Sequence, residues 1–319
     1  MINMIKTEIV DFSKCESSKK NGSYGGNGGP KEGIIYNGQN WIIKYPKKLK
    51  NKLPGELNYI NSPISEYIGS NIYKTLGYPV QDVLLGIRNN KLIVACKDFT
   101  SKDRLLLEYR TIKNVYDKKL LVKLDSINTM RNRDNILDID EILPQLKHNP
   151  LFNSAPDIEF CFWNMVVIDC FVSNDKRTSS DWGLIFESDK YKFSPIFGNG
   201  NSFNNRVDDG QLAKIMKNKD KFIKLESSRL TNYSRNGKIL NTKELLSLWR
   251  EYPKLADAIK NNYVLIKKEL QNIENVIDSI PNSYNGLKTI SDTRKKYYKD
   301  SLNVRMKYLF EITFKENEK

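Results

Sequence analysis

PDIEFCFWNMVVIDCFVSNDKRTSSDWGLI, residues 156–185, is the stretch on which the fold turns. Residues 157–172 are apolar on nearly every side, which describes a helix buried in the core of a sizeable domain. That helix empties into the polar run NDKRTSS (174–180), and a strand-like stretch, WGLIFESDKYKFSPIF (182–197), follows and ends at GNGNS. A polar loop hung between a buried helix and a strand is either an ordinary surface loop or the floor of an active site. The residues upstream bear on the choice.

The first hundred residues are rich in β-branched residues and turns. Asn37-Gly38, inside GIIYNGQNWIIKYP (33–46), predicts a hairpin. Ser62-Pro63 offers an N-cap and a favoured first helical position, and apolar residues at 64, 68, 72 and 76 predict one amphipathic helix stopping at Gly77. VQDVLLGI (80–87) and KLIVACKDF (91–99) read as a second hairpin across RNN. After about residue 100 long helical periods take over, at 138–147, 157–172, 242–278 with a break at Pro253, and 286–312, with 182–197 as the one short β interruption. The expected fold class is α+β in two lobes: a small antiparallel β lobe with one helix over 1–100, and a larger, mainly helical lobe over 101–319.

The 319 residues are 39% hydrophobic and 11% aromatic, enough for one large core or two lobes. Asp169 interrupts the longest apolar run before it reaches the roughly 18 residues of a membrane span. MINMIKTEIVDF lacks the unbroken apolar stretch of a signal peptide, so the cytoplasm is the expected compartment. Cys15, Cys96, Cys161 and Cys170 form no CxxC pair and read as reduced core residues. The single histidine, His148, excludes a multi-histidine metal site and reads as exposed. The formal charge of +14 favours phosphate-bearing partners. The basic clusters at 214–224 and 294–299 read as solvated helix faces, with nucleic-acid binding the weaker alternative.

Three features carry chemistry when taken in order. GSYGGNGGPKEG (22–33) packs five glycines into residues 22–29, a loop whose backbone N–H groups can close around phosphates; a ligand-free glycine turn is the alternative. It is not a Walker A loop, because Lys31 is followed by Glu32. Lys44 follows on a strand, where it can pair with phosphates, and Glu66 on the next helix can hold its ammonium; a ligand-free exposed pair is the other reading. Asp175, directly after the buried helix, can accept the proton of a substrate hydroxyl, and Asp181 is the nearest candidate to hold Mg²⁺; plain loop capping by Asp175 is the alternative.

On these residues the sequence resembles the HipA-like serine/threonine kinases, over roughly residues 15–205. SYGGNGGPK (23–31) is similar to the family's S-x-G-G-x-x-P-K loop with one extra residue. FWNMVVIDCFVSNDKRTSSDWG (162–183) resembles F-W-D-M-x-V-x-D…N-x-D-R-H-N-G-N-W-G, and SPIFGNGNS (194–202) resembles A-P-I-F-D-x-G-S-S. The resemblance implies a two-lobed protein-kinase-like fold, ATP and Mg²⁺ as cofactors, and a protein substrate with a Ser or Thr acceptor. It also implies toxin- or effector-like action in bacteria, with an antitoxin as a further partner. It assigns ATP binding to Ser23, Gly25, Gly26, Gly28, Lys44 and Glu66, adenine holding to a hinge of Lys97, Asp98 and Phe99, and the catalytic base to Asp175. Ser23 matches a loop serine that some members autophosphorylate.

The departures lie at the metal. The family's Asn falls on Ser180 or, with a one-residue insertion, on Asp181, whose carboxylate also suits Mg²⁺. The family's metal-binding Asp is replaced by Gly198, which offers no side chain. Asp208 and Asp209 in NNRVDDG are candidate replacements. Two readings follow, a working protein kinase and a silent pseudokinase that binds nucleotide or a partner.

Overall fold

The computed structural model describes residues 7–21, 24, 30–113 and 136–318. The chain divides into two units, each assembled from separated pieces: Met1–Asp98, Asn199–Lys224 and Lys268–Asn303 in the first, and Phe99–Gly198, Leu225–Lys267 and Val304–Lys319 in the second.

The first unit is built on β1 (Val10–Asp11), β2 (Lys31–Tyr36), β3 (Gln39–Lys44), β4 (Val83–Arg88) and β5 (Lys91–Lys97), in the sheet order β1-β4-β5-β3-β2. Every pairing is antiparallel except that of β1 with β4. The β2–β3 hairpin turns through Asn37 and Gly38 at φ +49° and +70°. Two successive left-handed residues give a turn whose twist matches the strands it joins. Alternation along β3 sends Trp41 and Ile43 into a core with Phe12, Ile34, Ile93 and Ala95, so Lys44 emerges on the opposite face of the sheet. Helix α1 (Ser62–Thr75) packs on β4 and β5 and buries Ile64, Ile68 and Ile72 completely, worth roughly 1.5–3 kcal/mol per side chain. The helix begins at Ser62 itself, so Asn61 and not Ser62 holds the cap position, without a side-chain cap. Pro63 has no N–H, and one of the donors a cap would satisfy is therefore missing.

In the second unit α2 (Ile158–Val172) is enclosed as expected, with Phe162, Val166, Val167, Ile168 and Phe171 fully buried. Strands β6 (Arg104–Glu108), β8 (Gly183–Glu187) and β9 (Lys190–Phe193) form one antiparallel sheet in the order β6-β8-β9. Trp182, just ahead of β8, stacks on Tyr109 at 4.5 Å and lies 5.2 Å from Phe162, which ties the sheet to the helix. A second sheet has the order β11-β10-β7, from β7 (Leu137–Asp138), β10 (Leu230–Arg235) and β11 (Lys238–Asn241).

β structure beyond residue 100 is therefore not confined to 182–197. The hairpin β10–β11 turns at Asn236-Gly237, and a further hairpin in the first unit, β12 (Ser283–Tyr284) with β13 (Leu287–Lys288), turns at Asn285-Gly286. The helix expected over 286–312 consequently starts only at α3 (Asp292–Arg305), which continues through a π-helical turn, Met306–Phe310, into Glu311–Asn317. The break at Pro253 is present, with a helix Thr242–Ser247 before it and a helix Pro253–Ser279 after it. All four cysteines are free, and burial pushes the Cys96 thiol up to about 12, so it stays protonated. His148 is half-buried at the end of a helix and not exposed as expected. Among the described residues no helix is long and apolar enough to cross a membrane.

Candidate functional site

In the first unit Lys44 closes β3, and its Nζ lies 3.0 Å from Glu66 Oε2 on α1. The Lys44 side chain is 19% exposed and that of Glu66 only 4%. Glu66 is itself held: its Oε1 accepts the Asn199 N–H at 2.9 Å. On either side of it along α1, Ser65 Oγ donates to the Ser202 carbonyl (2.9 Å) and Ser70 Oγ accepts from Asn199 Nδ2 (3.0 Å). Segment 199–202 is thereby clipped to the helix, the clip fixes the carboxylate, and the carboxylate fixes the ammonium. Sequence reasoning found the pair but not Asn199.

Ser23, Gly25, Gly26 and Gly28 lie outside the described residues. Their neighbour Tyr24 donates its hydroxyl to Asp98 Oδ2 at 2.8 Å, and Lys20 Nζ lies 2.8 Å from the same oxygen. Burial, then the hydrogen bond to Asp98 and its negative charge, push the Tyr24 hydroxyl well above the usual phenol range. The expected hinge starts where β5 ends. Lys97 N–H donates to the Asp82 carbonyl (2.8 Å), the Lys97 carbonyl accepts from Gln81 Nε2 (2.9 Å), and Asp98 N–H donates to the Asn40 carbonyl (2.9 Å). The Asp98 carboxylate is thus a tether for the start of the glycine-rich stretch, a role that sequence alone did not suggest.

In the second unit the end of α2 is organised by Asp169. Its two carboxylate oxygens accept from Arg177 Nε (2.7 Å) and Nη2 (2.6 Å), and also from Asn174 Nδ2 (3.2 Å) and the Tyr233 hydroxyl (3.1 Å). The Arg177 and Asp169 side chains are 0% and 1% exposed. Arg177 Nη1 donates to the Asp181 and Phe197 carbonyls, and Asn232 Nδ2 donates to the Arg177 carbonyl at 2.8 Å. One guanidinium therefore ties the helix end to the loop 174–181 and to the segment before Gly198. The signal for it was visible as an acid, Asp169, within the apolar run that ends the helix.

Asp175 follows Ser173 and Asn174 at this helix end and is half-buried. With Asp169, Ser173, Asn174, Thr231 and Tyr233 it lines a cavity of about 10 Å³, room for roughly one water. Phe99 packs its ring 5.7 Å from that of Phe197. Asp181 Oδ2 accepts from Thr178 N (2.9 Å) and Thr178 Oγ1 (2.7 Å). Gly198 has φ +75°, and a Cβ built on it would lie 2.7 Å from Asp181 Oδ1 and 3.0 Å from Asp181 Cγ. The Asp181 carboxylate stands where a side chain of residue 198 would begin. Asp208 and Asp209 are engaged elsewhere: Asp208 caps the helix Asp209–Lys217 by accepting from Gln211 N, and Asp209 pairs with Arg294 at 2.8 Å.

No family model matches the chain. It is 27% identical over 311 residues to the serine/threonine-protein kinase CtkA of Helicobacter pylori strain J99, spanning 95% of this chain and 87% of that protein. The crystal structure of a proinflammatory CtkA kinase of Helicobacter pylori superposes with a TM-score of 0.82 and 25% identity, covering 98% of both chains. The structure of the Shewanella oneidensis MR-1 toxin–antitoxin system HipA, HipB and its operator DNA matches with a TM-score of 0.54 and 12% identity, over 91% of this chain and 66% of that one. That second likeness is one of fold.

Proposed function

We propose, from a chain homologous to CtkA and sharing the fold of the HipA-like kinases, a serine/threonine kinase that transfers the γ-phosphoryl group of ATP to a hydroxyl of a protein substrate. The observation that carries this reading is the Lys44–Glu66 pair, a sealed carboxylate presenting a partly exposed ammonium on a strand just after a glycine-rich loop. In this reading Lys44 Nζ binds ATP phosphate oxygens and Glu66 keeps it from swinging away. The glycine loop and the Lys97–Asp98–Phe99 hinge hold the rest of the nucleotide. Nucleotide binding then belongs to residues 1–100, and the catalytic loop to 101–319.

Asp175 takes the proton of the acceptor hydroxyl as its oxygen bonds to the γ-phosphorus, and the bond between that phosphorus and the ADP oxygen breaks. Among the described residues no group of three or more His, Cys, Asp or Glu side chains is gathered to hold a metal. A single well-placed carboxylate still fits Mg²⁺, which keeps several waters and takes phosphate oxygens besides one or two carboxylates. Asp181, whose carboxylate stands where a side chain of residue 198 would begin, would supply it. When bound, Mg²⁺ neutralises charge on the transferring phosphates. The acceptor is a Ser or Thr of a protein, the setting is the cytoplasm, and an antitoxin is a partner class that goes with the HipA-type fold.

The test is transfer of radiolabelled γ-phosphate to the chain itself and to a generic protein substrate, with Mg²⁺ or Mn²⁺. Label that disappears in Asp175→Ala and in Lys44→Met supports the reading; label that persists in both contradicts it. Gly198 favours a second reading, a silent module that binds nucleotide or a partner. Under it ATP raises the melting temperature with and without Mg²⁺, and no variant transfers label.

A further inference from the structure

A groove of about 700 Å³ lies within the first unit. One wall is the arm that follows β3, where Ile60 N–H donates to the Lys47 carbonyl (2.9 Å) and Leu49 N–H to the Asn58 carbonyl (3.0 Å). The others are the β4–β5 turn and the stretch from β13 into α3. Its apolar lining includes Leu57, Tyr59, Ile60, Leu92, Leu287 and Ile290. Tyr59 is 46% exposed, a large aromatic surface left in water.

The charges around this lining are uneven. Both acids of the groove are committed: Asp209 pairs with Arg294 at 2.8 Å, and Asp292 Oδ1 accepts from Asn282 Nδ2 at 2.7 Å. Lys91 and Lys288, also in the lining, are exposed and have no ion pair among the described residues, and exposed Lys47 and Lys48 follow the lining residue Pro46 along the chain. Arg294 is only 4% exposed, with Nη2 donating to the Val207 carbonyl and pairing with Asp209. An apolar trough of this size rimmed by uncompensated lysines complements an extended peptide whose acidic residues alternate with apolar ones.

We propose that this groove docks an acidic, apolar-containing linear segment of a protein partner. Only the naming of that partner as the kinase's substrate rests on the function proposed above; the binding itself does not. Lys91 and Lys288 would meet carboxylates at the rim, and Tyr59 with Leu287 would seat an apolar side chain.

The experiment uses the full chain and two short fluorescein-labelled peptides, one alternating glutamate with leucine and tyrosine, the other with lysine in place of glutamate. Fluorescence anisotropy should show the acidic peptide binding and weakening as salt rises. Affinity should fall by about tenfold or more in the Lys91→Glu, Lys288→Glu double variant, whose substitutions lie on exposed side chains, and by a similar factor in Tyr59→Ala. Fusing the acidic segment to a phosphoacceptor should lower KM without changing kcat, and the double variant should cancel that gain. Equal binding of the two peptides, unchanged affinity in the double variant, or preference for a single-stranded RNA oligonucleotide that the same variant abolishes would each overturn the proposal. Binding that behaves as expected while no variant transfers phosphate would remove the kinase reading and leave the groove standing.

Discussion

Two buried acids, Glu66 in the first unit and Asp169 in the second, are partnered in opposite ways. Asp169 and Arg177 are both sealed, at 1% and 0% exposure, and each nitrogen of the Arg177 guanidinium is spent on the chain. Glu66 is as deeply buried, yet the Lys44 ammonium it holds remains 19% exposed. A pair with both charges enclosed and bonded fixes architecture, here the loop that carries Asp175 and Asp181. A sealed acid presenting an accessible cation is a handle for an anion, because the cost of orienting the ammonium has already been met by the fold.

The largest effect expected from breaking this contrast is on stability. Arg177→Leu removes the guanidinium that Asp169 holds in a fully enclosed site, and should lower unfolding free energy by about 3–5 kcal/mol in chemical denaturation. Lys44→Met leaves the buried Glu66 carboxylate with its Asn199 bond but without its cation, and should cost about 2–3 kcal/mol, less than Arg177→Leu, while removing the rise in melting temperature that ATP produces. Equal losses in the two variants would erase the distinction. Asp175→Asn sharpens it from the chemical side: the melting temperature should hardly move, whereas phosphoryl transfer should fall by about 10²–10⁴-fold.

A smaller effect is expected at Gly198. Gly198→Ala should cost about 1–2 kcal/mol for its left-handed backbone, plus the close approach to Asp181. Adding Asp181→Ser should recover the second part, so a double-mutant cycle should show favourable coupling between the two positions. The smallest effect concerns Tyr24, whose hydroxyl is held neutral by burial and by Asp98. Its folded pKa is raised, so its contribution is fully present below the unfolded value of about 10 and is lost as pH rises beyond it. Tyr24→Phe should flatten the alkaline loss of stability; an unchanged profile would show that the tether adds nothing.

Much of this was legible in the sequence for reasons that can be named. Alternation on β3 and helical spacing on α1 are local rules, and they were enough to bring Lys44 and Glu66 forward as a pair. The Asn-Gly dipeptide was read as a turn at 37–38, where apolar runs flank it. It was not read at 236–237 or 285–286, where no apolar run flanks it on both sides, although the backbone takes the same left-handed pair at all three. The Asp169–Arg177 bond joins a helix to a loop of no periodicity, and only the acid interrupting the apolar run hinted at it. The approach of Asp181 to Gly198 spans a whole hairpin, β8–β9, so nothing local could place the carboxylate over the missing side chain.

The most direct measurement of whether Asp181 supplies what residue 198 lacks compares γ-phosphate transfer by the natural chain, Asp181→Ala and Gly198→Asp under one Mg²⁺ concentration. The expected result is activity in the natural chain, a loss of about 10²-fold or more in Asp181→Ala, and no gain in Gly198→Asp, which is also less stable. Activity gained by Gly198→Asp, together with an unaffected Asp181→Ala, would contradict it.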